Sequence, residues 1–206
     1  MRYAIIAFFM ILGTTRATAA AQLRGEQLTD ALRHGGLVIL MRHASSPREP
    51  PAAAQADPEN RARERQLDEA GRAAARAFGA AVRELRIPIG SIWCSPTYRA
   101  RQTVQLAGLG TPRIAAQLGD AGHSMAPDPS GARGEWLRQQ VARAPARGTN
   151  TLIVTHFPNI AEAFPAAARE LGDGEALILR PADHGDAQLV ARVPIDEWPR
   201  LAAAAH

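Results

Sequence analysis

A chain of 206 residues with 46% apolar and 21% charged side chains has room for one domain with a single core and too little for two. All 24 basic residues are arginines, so the pI of about 10.4 reflects the lack of a titrating lysine; the net charge of +4 falls to +2 without Arg2 and Arg16, which excludes a nucleic-acid footprint. Cys94 is the single cysteine, which excludes an internal disulfide, and on an apolar strand it reads as a small hydrophobe without a catalytic role.

Met1-Arg2-Tyr3 and the apolar run Ala4 to Leu12 form a charged n-region and a short h-region, and Ala17-Thr18-Ala19-Ala20-Ala21 offers A-x-A-like cleavage positions. The run is shorter than the roughly 20 residues a bilayer requires. Residues 1–21 therefore read as a secretory signal peptide and 22–206 as one exported domain without a stable membrane span, in the periplasm if the cell is double-membraned.

A short amphipathic helix over Leu23 to Leu32 stops at Gly35-Gly36. The apolar run Leu37-Val38-Ile39-Leu40-Met41 then reads as a buried parallel strand that ends on Arg42-His43. From Ser45 to Gln66 no hydrophobic period is visible, which marks a long loop of functional or disordered character. Arg48, Asn60, Arg61, Arg63 and Arg65 lie in it as possible substrate contacts.

A helix begins at Asp68, with Ala70, Ala74, Phe78, Val82 and Leu85 at helical spacing and Ile87-Pro88 as its stop. A strand over Ile92 to Cys94, a Ser95-Pro96 break and a helix from Tyr98 to about Ala107 follow. Arg113 to Ala115 forms a short strand, and Gly119 to Gly131 an exposed loop. A helix over Glu135 to Ala144 leads into the strand Leu152-Ile153-Val154-Thr155, which ends on His156 before Pro158. After a further helix, Glu175 to Pro181 and Gln188 to Val193 flank a polar turn and read as an antiparallel hairpin, with His184 at its surface; a helix from Asp196 to Ala205 closes the chain. Alternating strands and helices of this kind give an α/β fold, a three-layer α/β/α sandwich around a mostly parallel sheet.

Ligands of open α/β sheets bind beyond the carboxyl ends of the strands. Three such ends carry Arg42 and His43, Arg99, and His156. Two guanidiniums and two imidazoles converging there suit a phosphate dianion, and no carboxylate or cysteine stands beside the histidines at the spacing of a metal site.

The three segments, in this order, resemble the signatures of the histidine phosphatase superfamily, the phosphoglycerate mutase-like enzymes. Leu40-Met41-Arg42-His43-Ala44 matches the family's strand-Arg-His-Gly, with Ala44 for glycine. Ser95-Pro96-Thr97-Tyr98-Arg99-Ala100-Arg101-Gln102-Thr103 matches Ser-Pro-x-x-Arg-Ala-x-x-Thr. Leu152 to His156 matches the strand that runs into Ser/Gly-His, with Thr155 for the small residue. Leu67 to Gly71 resembles the family's Leu-Thr/Ser-x-x-Gly helix start, and the likeness extends over roughly Leu28 to Trp198.

The resemblance implies a metal-independent phosphatase without cofactor, with His43 as the nucleophile that carries a phosphohistidine and Arg42, Arg99 and His156 as phosphate ligands. Ser46 stands where relatives often have a phosphate-contacting threonine. Phe157 follows His156 where some members have an acid, so proton donation is open among Asp120, then His123 and Glu135, His156, or no side chain at all for a phosphohistidine or acyl phosphate. A phosphorylated small molecule is the expected substrate; a lipid or polysaccharide phosphate of the envelope, and a non-catalytic phospho-ligand binder on the same fold, are the alternatives.

Overall fold

The computed structural model describes residues 22–120, 131–182 and 187–205. The expected signal peptide, His123 and His184 lie outside the described residues. Among the described residues six α-helices and six strands run in the order α1 (Gly25–His34), β1 (Val38–Arg42), α2 (Glu69–Glu84), β2 (Ile89–Cys94), α3 (Tyr98–Ala107), β3 (Arg113–Ile114), α4 (Ala132–Ala142), β4 (Asn150–Thr155), α5 (Phe157–Ala163), β5 (Ala176–Arg180), β6 (Gln188–Val193) and α6 (Glu197–Ala203).

The strands form one sheet in the order β3-β2-β4-β1-β5-β6. β1, β2, β3 and β4 are mutually parallel, whereas β5 runs antiparallel to β1 and β6 antiparallel to β5, the expected hairpin. Because side chains alternate along a strand, Ile39 and Met41 of β1 face a core built with Phe78, Val104 and Trp198 of α2, α3 and α6, while Val38 and Leu40 face Leu137 and Ile160 of α4 and α5. Both faces of the sheet are thus covered, giving three layers, and β4 at the centre is buried along its whole length.

α2 starts where its sequence says it should: Asp68 is the N-cap, and its carboxylate accepts the Gly71 amide at 2.6 Å. The segment between β1 and α2, read as a long loop, is tied down rather than loose. Asp57 accepts hydrogen bonds from Tyr98 Oη, Gln102 Nε2 and Arg72, and Gln102 returns its side-chain oxygen to the Leu67 amide at 2.8 Å.

Candidate active site

The parallel strands bring the three motifs level. Arg42 is opposite Thr155 and Cys94 opposite Val154 in register; the His43 amide donates to Thr155 O and the Ser95 amide to Val154 O, each at 3.0 Å. The chain leaving β1 is then held from both sides. Ala44 N donates to Thr103 Oγ1, which itself donates to Arg99 O, so the last threonine of the second motif fastens the first motif to α3. Ala44 is fully buried and its backbone is outside the left-handed region, so alanine meets no backbone strain there.

The two imidazoles are buried, with ring centroids 5.1 Å apart. His43 Nδ1 lies 2.8 Å from the carbonyl of Ala44, which can only accept, and Nε2 receives the Arg99 Nε hydrogen at 3.1 Å. These partners assign the proton to Nδ1 and leave a lone pair on Nε2. Burial, with the charges of Arg99 and Arg42, takes His43 down to about 3 despite the favourable bond to Ala44, so the ring is neutral near neutral pH.

His156 has the opposite tautomer. Arg99 Nη2 points at its Nδ1 at 3.2 Å, and its Nε2 meets Ser95 Oγ at 2.8 Å and Thr97 Oγ1 at 3.2 Å. A guanidinium only donates, so the imidazole hydrogen is on Nε2 and is directed to Ser95. Burial first, then the neighbouring His43 and Arg99, hold its pKa well below the ordinary histidine value.

Arg99 joins these groups. Its side chain is 1% exposed and forms an ion pair with Asp120, 4% exposed, through the same Nη2 that faces His156. Asp120 is held by backbone anchors beside it: Thr155 Oγ1 donates to Leu118 O at 2.9 Å and Asn159 Nδ2 to Gly119 O at 2.8 Å. Thr155, the residue in place of a small one, is thus put to use.

Arg42 points to a different partner set. Nη1 donates to Leu171 O at 2.9 Å, Nη2 pairs with Asp173 at 2.6 Å, Nε is buried without a partner, and Phe157 lies 5.9 Å from the guanidinium carbon. Arg42 and Arg99 both line a cleft of about 1000 Å3, whose walls also carry Arg48, Arg65, Glu49 and Glu64. His43 contacts Arg99 of that wall, and His156 contacts both Arg99 and Thr97.

Ser46 lines the cleft, but its hydroxyl donates to the Gln66 carbonyl at 2.8 Å. Arg65 lines it too, with Nε donating to Pro47 O and Nη2 to Ser46 O. Asn60 is buried in bonds to Glu64 and Gln66 within its own loop. Glu135, at the start of α4, pairs with Arg138 and Gln139 at the surface and takes no part in this network. Thr97, Glu64 and Asp173 are site residues the motifs did not single out, and Ser95, the first residue of the second motif, has no role assigned from sequence: Glu64 accepts the Tyr98 amide at the start of α3 at 3.0 Å. The cysteine beside Ser95 is inert, its thiol pushed by burial up to about 12.

The model of the histidine phosphatase superfamily, branch 1, matches residues 38–120. No curated protein sequence matches significantly. Among solved structures, the protein histidine phosphatase SixA complexed with tungstate is 14% identical at a TM-score of 0.56, over 78% of this chain and 98% of that one. Phosphoserine phosphatase of Entamoeba histolytica in complex with phosphoserine is 13% identical at 0.52, over 77% and 97%. The Rv3214 product of Mycobacterium tuberculosis is 17% identical at 0.52, over 76% and 96%. At such identities these structures speak for the fold, whereas the family model spans the first two motifs and the carboxylate at Asp120. Over β1 to Asp120 the chain is similar to the histidine phosphatase superfamily, branch 1, and its fold is the one those solved structures share.

Proposed function

We propose that this chain is a phosphatase of the histidine phosphatase superfamily, which hydrolyses a phosphomonoester or similarly phosphorylated small molecule in two steps through a phosphohistidine on His43. One observation carries the reading: the Nε2 lone pair of a neutral, buried imidazole whose other nitrogen is tied to Ala44 O. An imidazole held in that tautomer is a nucleophile that needs no base.

An incoming phosphoryl group takes the place of Nε2 as partner of the Arg99 guanidinium. Nε2 forms the N–P bond as the bond from phosphorus to the leaving oxygen breaks, and that oxygen takes its electron pair and a proton from solvent water, which regains one when water attacks in the second step. Water then attacks phosphorus, the N–P bond breaks with its electrons returning to Nε2, and phosphate leaves. Arg99 and Arg42 stabilise the charge on the equatorial oxygens. His156 reaches them with its Nε2 hydrogen by releasing Ser95. Ser46 joins them if its hydroxyl turns from Gln66. The nucleophile and the ligands of the phosphoryl oxygens are this chain's own groups.

Turnover of an aryl phosphate by the domain 22–206 in chelator, beside His43→Ala, tests the proposal. Activity that survives chelation and vanishes in the variant, with an acid-labile phosphoryl group trapped on the wild type, is the expected result; equal activity of the variant overturns it. Export is part of the proposal and rests on residues 1–21 alone. The N-terminal sequence of protein recovered from a periplasmic fraction checks it, and a panel that pairs soluble with lipid-linked phosphates separates small-molecule from envelope substrates.

A further inference from the structure

We propose that Asp120 is a positioning residue, whose carboxylate sets the Arg99 guanidinium against His43, and that it does not supply the proton of the leaving group. The inference rests on the phosphatase reading above and assigns a role within that site.

A donor to a leaving group must hold a proton to give. The Asp120 carboxylate is ion-paired with Arg99 Nη2, and an ionised carboxylate only accepts. With 4% of its side chain exposed, Asp120 has Arg99 as its side-chain partner among the described residues. Its backbone neighbours Leu118 and Gly119 are pinned to Thr155 and Asn159 of the β4–α5 junction, the same junction that carries His156. The carboxylate and the second histidine are therefore fixed to one support.

The division of Arg99 hydrogens shows what the carboxylate does. Nη2 carries two hydrogens, directed to Asp120 and to His156 Nδ1, and Nε carries one, directed to His43 Nε2. A guanidinium is planar, so fixing Nη2 between two partners fixes the direction of Nε. Nη1 has no partner among the described residues and remains for an oxyanion. Removing the carboxylate leaves a buried cation with one imidazole to orient each edge, free to tilt. Displacements of about 1 Å in such a group reduce rate on the order of a hundredfold.

The test is a leaving-group series. kcat/KM is measured for aryl phosphates of increasing phenol pKa and for an alkyl phosphate, with wild type, Asp120→Asn and His43→Ala, and tungstate affinity is measured on the same proteins. Asp120→Asn is expected to lower kcat/KM by about ten- to a hundredfold, by the same factor across the series, and to weaken tungstate binding. A loss that is small for the most acidic phenols and grows toward the alkyl phosphate identifies Asp120 as the donor and overturns the proposal, as does unchanged tungstate affinity.

Should Asp120→Asn fail to fold, Arg99→Gln with and without Asp120→Asn carries the test, because the double variant buries no unpaired charge. Acting through Arg99, the second substitution changes tungstate affinity no further; an additional loss overturns the proposal. Failure of the phosphatase reading shows itself separately, as activity retained in His43→Ala, while the tungstate measurements still decide the role of Asp120.

Discussion

Arg99 donates from Nε to His43 Nε2 at 3.1 Å, so the resting nucleophile already touches the cation that stabilises its product. The bond also holds the lone pair in place until a phosphoryl oxygen competes for the guanidinium. Lysine cannot reproduce this, because an ammonium is a point charge without a planar edge that meets His43, His156 and Asp120 together. Arg99→Lys is expected to lose on the order of a hundred- to a thousandfold in kcat/KM while its melting temperature falls only a few degrees, since the buried charge pair with Asp120 survives. Steady-state kinetics with a thermal melt checks both; an active Lys variant would show that charge alone suffices.

Both imidazoles are buried without a proton to spare, and that makes the fold sensitive to acid. His43 goes from the ordinary 6.5 to about 3, and His156 is also depressed, by burial. Their folded pKa values lie below the unfolded ones, so the unfolded chain binds the extra protons. The contribution to stability is complete above about pH 6.5 and is lost as pH falls toward the folded values, at about 1.4 kcal/mol per pH unit for each ring. Denaturation midpoints measured between pH 7 and 4 are expected to fall with this slope and to flatten in His156→Gln. A midpoint independent of pH across that window contradicts neutral buried imidazoles.

Arg42 is engaged before any substrate arrives. Asp173 pairs with it at 2.6 Å and Leu171 O takes a second hydrogen, while Nε stays buried and unpartnered. For Arg42 to bind phosphate it must loosen the Asp173 pair, whose side chains are partly exposed (25% and 37%). Such a pair is worth about 1 kcal/mol or less. Asp173→Asn is therefore expected to tighten tungstate binding by about two- to fivefold at low salt. Calorimetric titration measures it, and weaker binding instead would mean that Asp173 presents Arg42 in its productive direction.

The strand-ending motifs were legible because their signals are local: a run of five apolar residues to Met41, the Ser95-Pro96 break, the apolar strand into His156. The helices from Tyr98 and Asp68 and the β5–β6 hairpin were legible for the same reason. What escaped is what the tertiary structure alone brings together. Asp57 and Glu64 look like solvated loop charges in sequence, yet Asp57 joins the loop to α2 and α3, and Glu64 meets the first turn of α3. Asp173 is 131 positions from Arg42, and no spacing announces the pair. Among the carboxylates, Asp120 was visible as a charge near the site, but its direction depends on Thr155 and Asn159, far along the chain.

Gly71 owes its identity to the same crowding. An added Cβ would stand 2.2 Å from the carbonyl oxygen of Ser45, two residues after the nucleophile. Backbone cannot yield as a flexible side chain can, so the β1–α2 connection has to move. That connection is also held by the Ser45 hydroxyl donating to Asp68 Oδ2 at 2.7 Å and by the Asp68 amide donating to Ser45 O at 3.2 Å. Gly71→Ala is expected to cost about 1–3 kcal/mol and to lower kcat/KM by displacing His43 from Arg99. Gly172→Ala is the comparison, for its added Cβ meets nothing closer than Glu175 Oε2 at 3.6 Å. A thermal melt of both variants beside wild type, with kinetics of the first, decides the point. If Gly71→Ala melts with Gly172→Ala and turns over normally, the contact between the first turn of α2 and the chain leaving the nucleophile does not constrain the site.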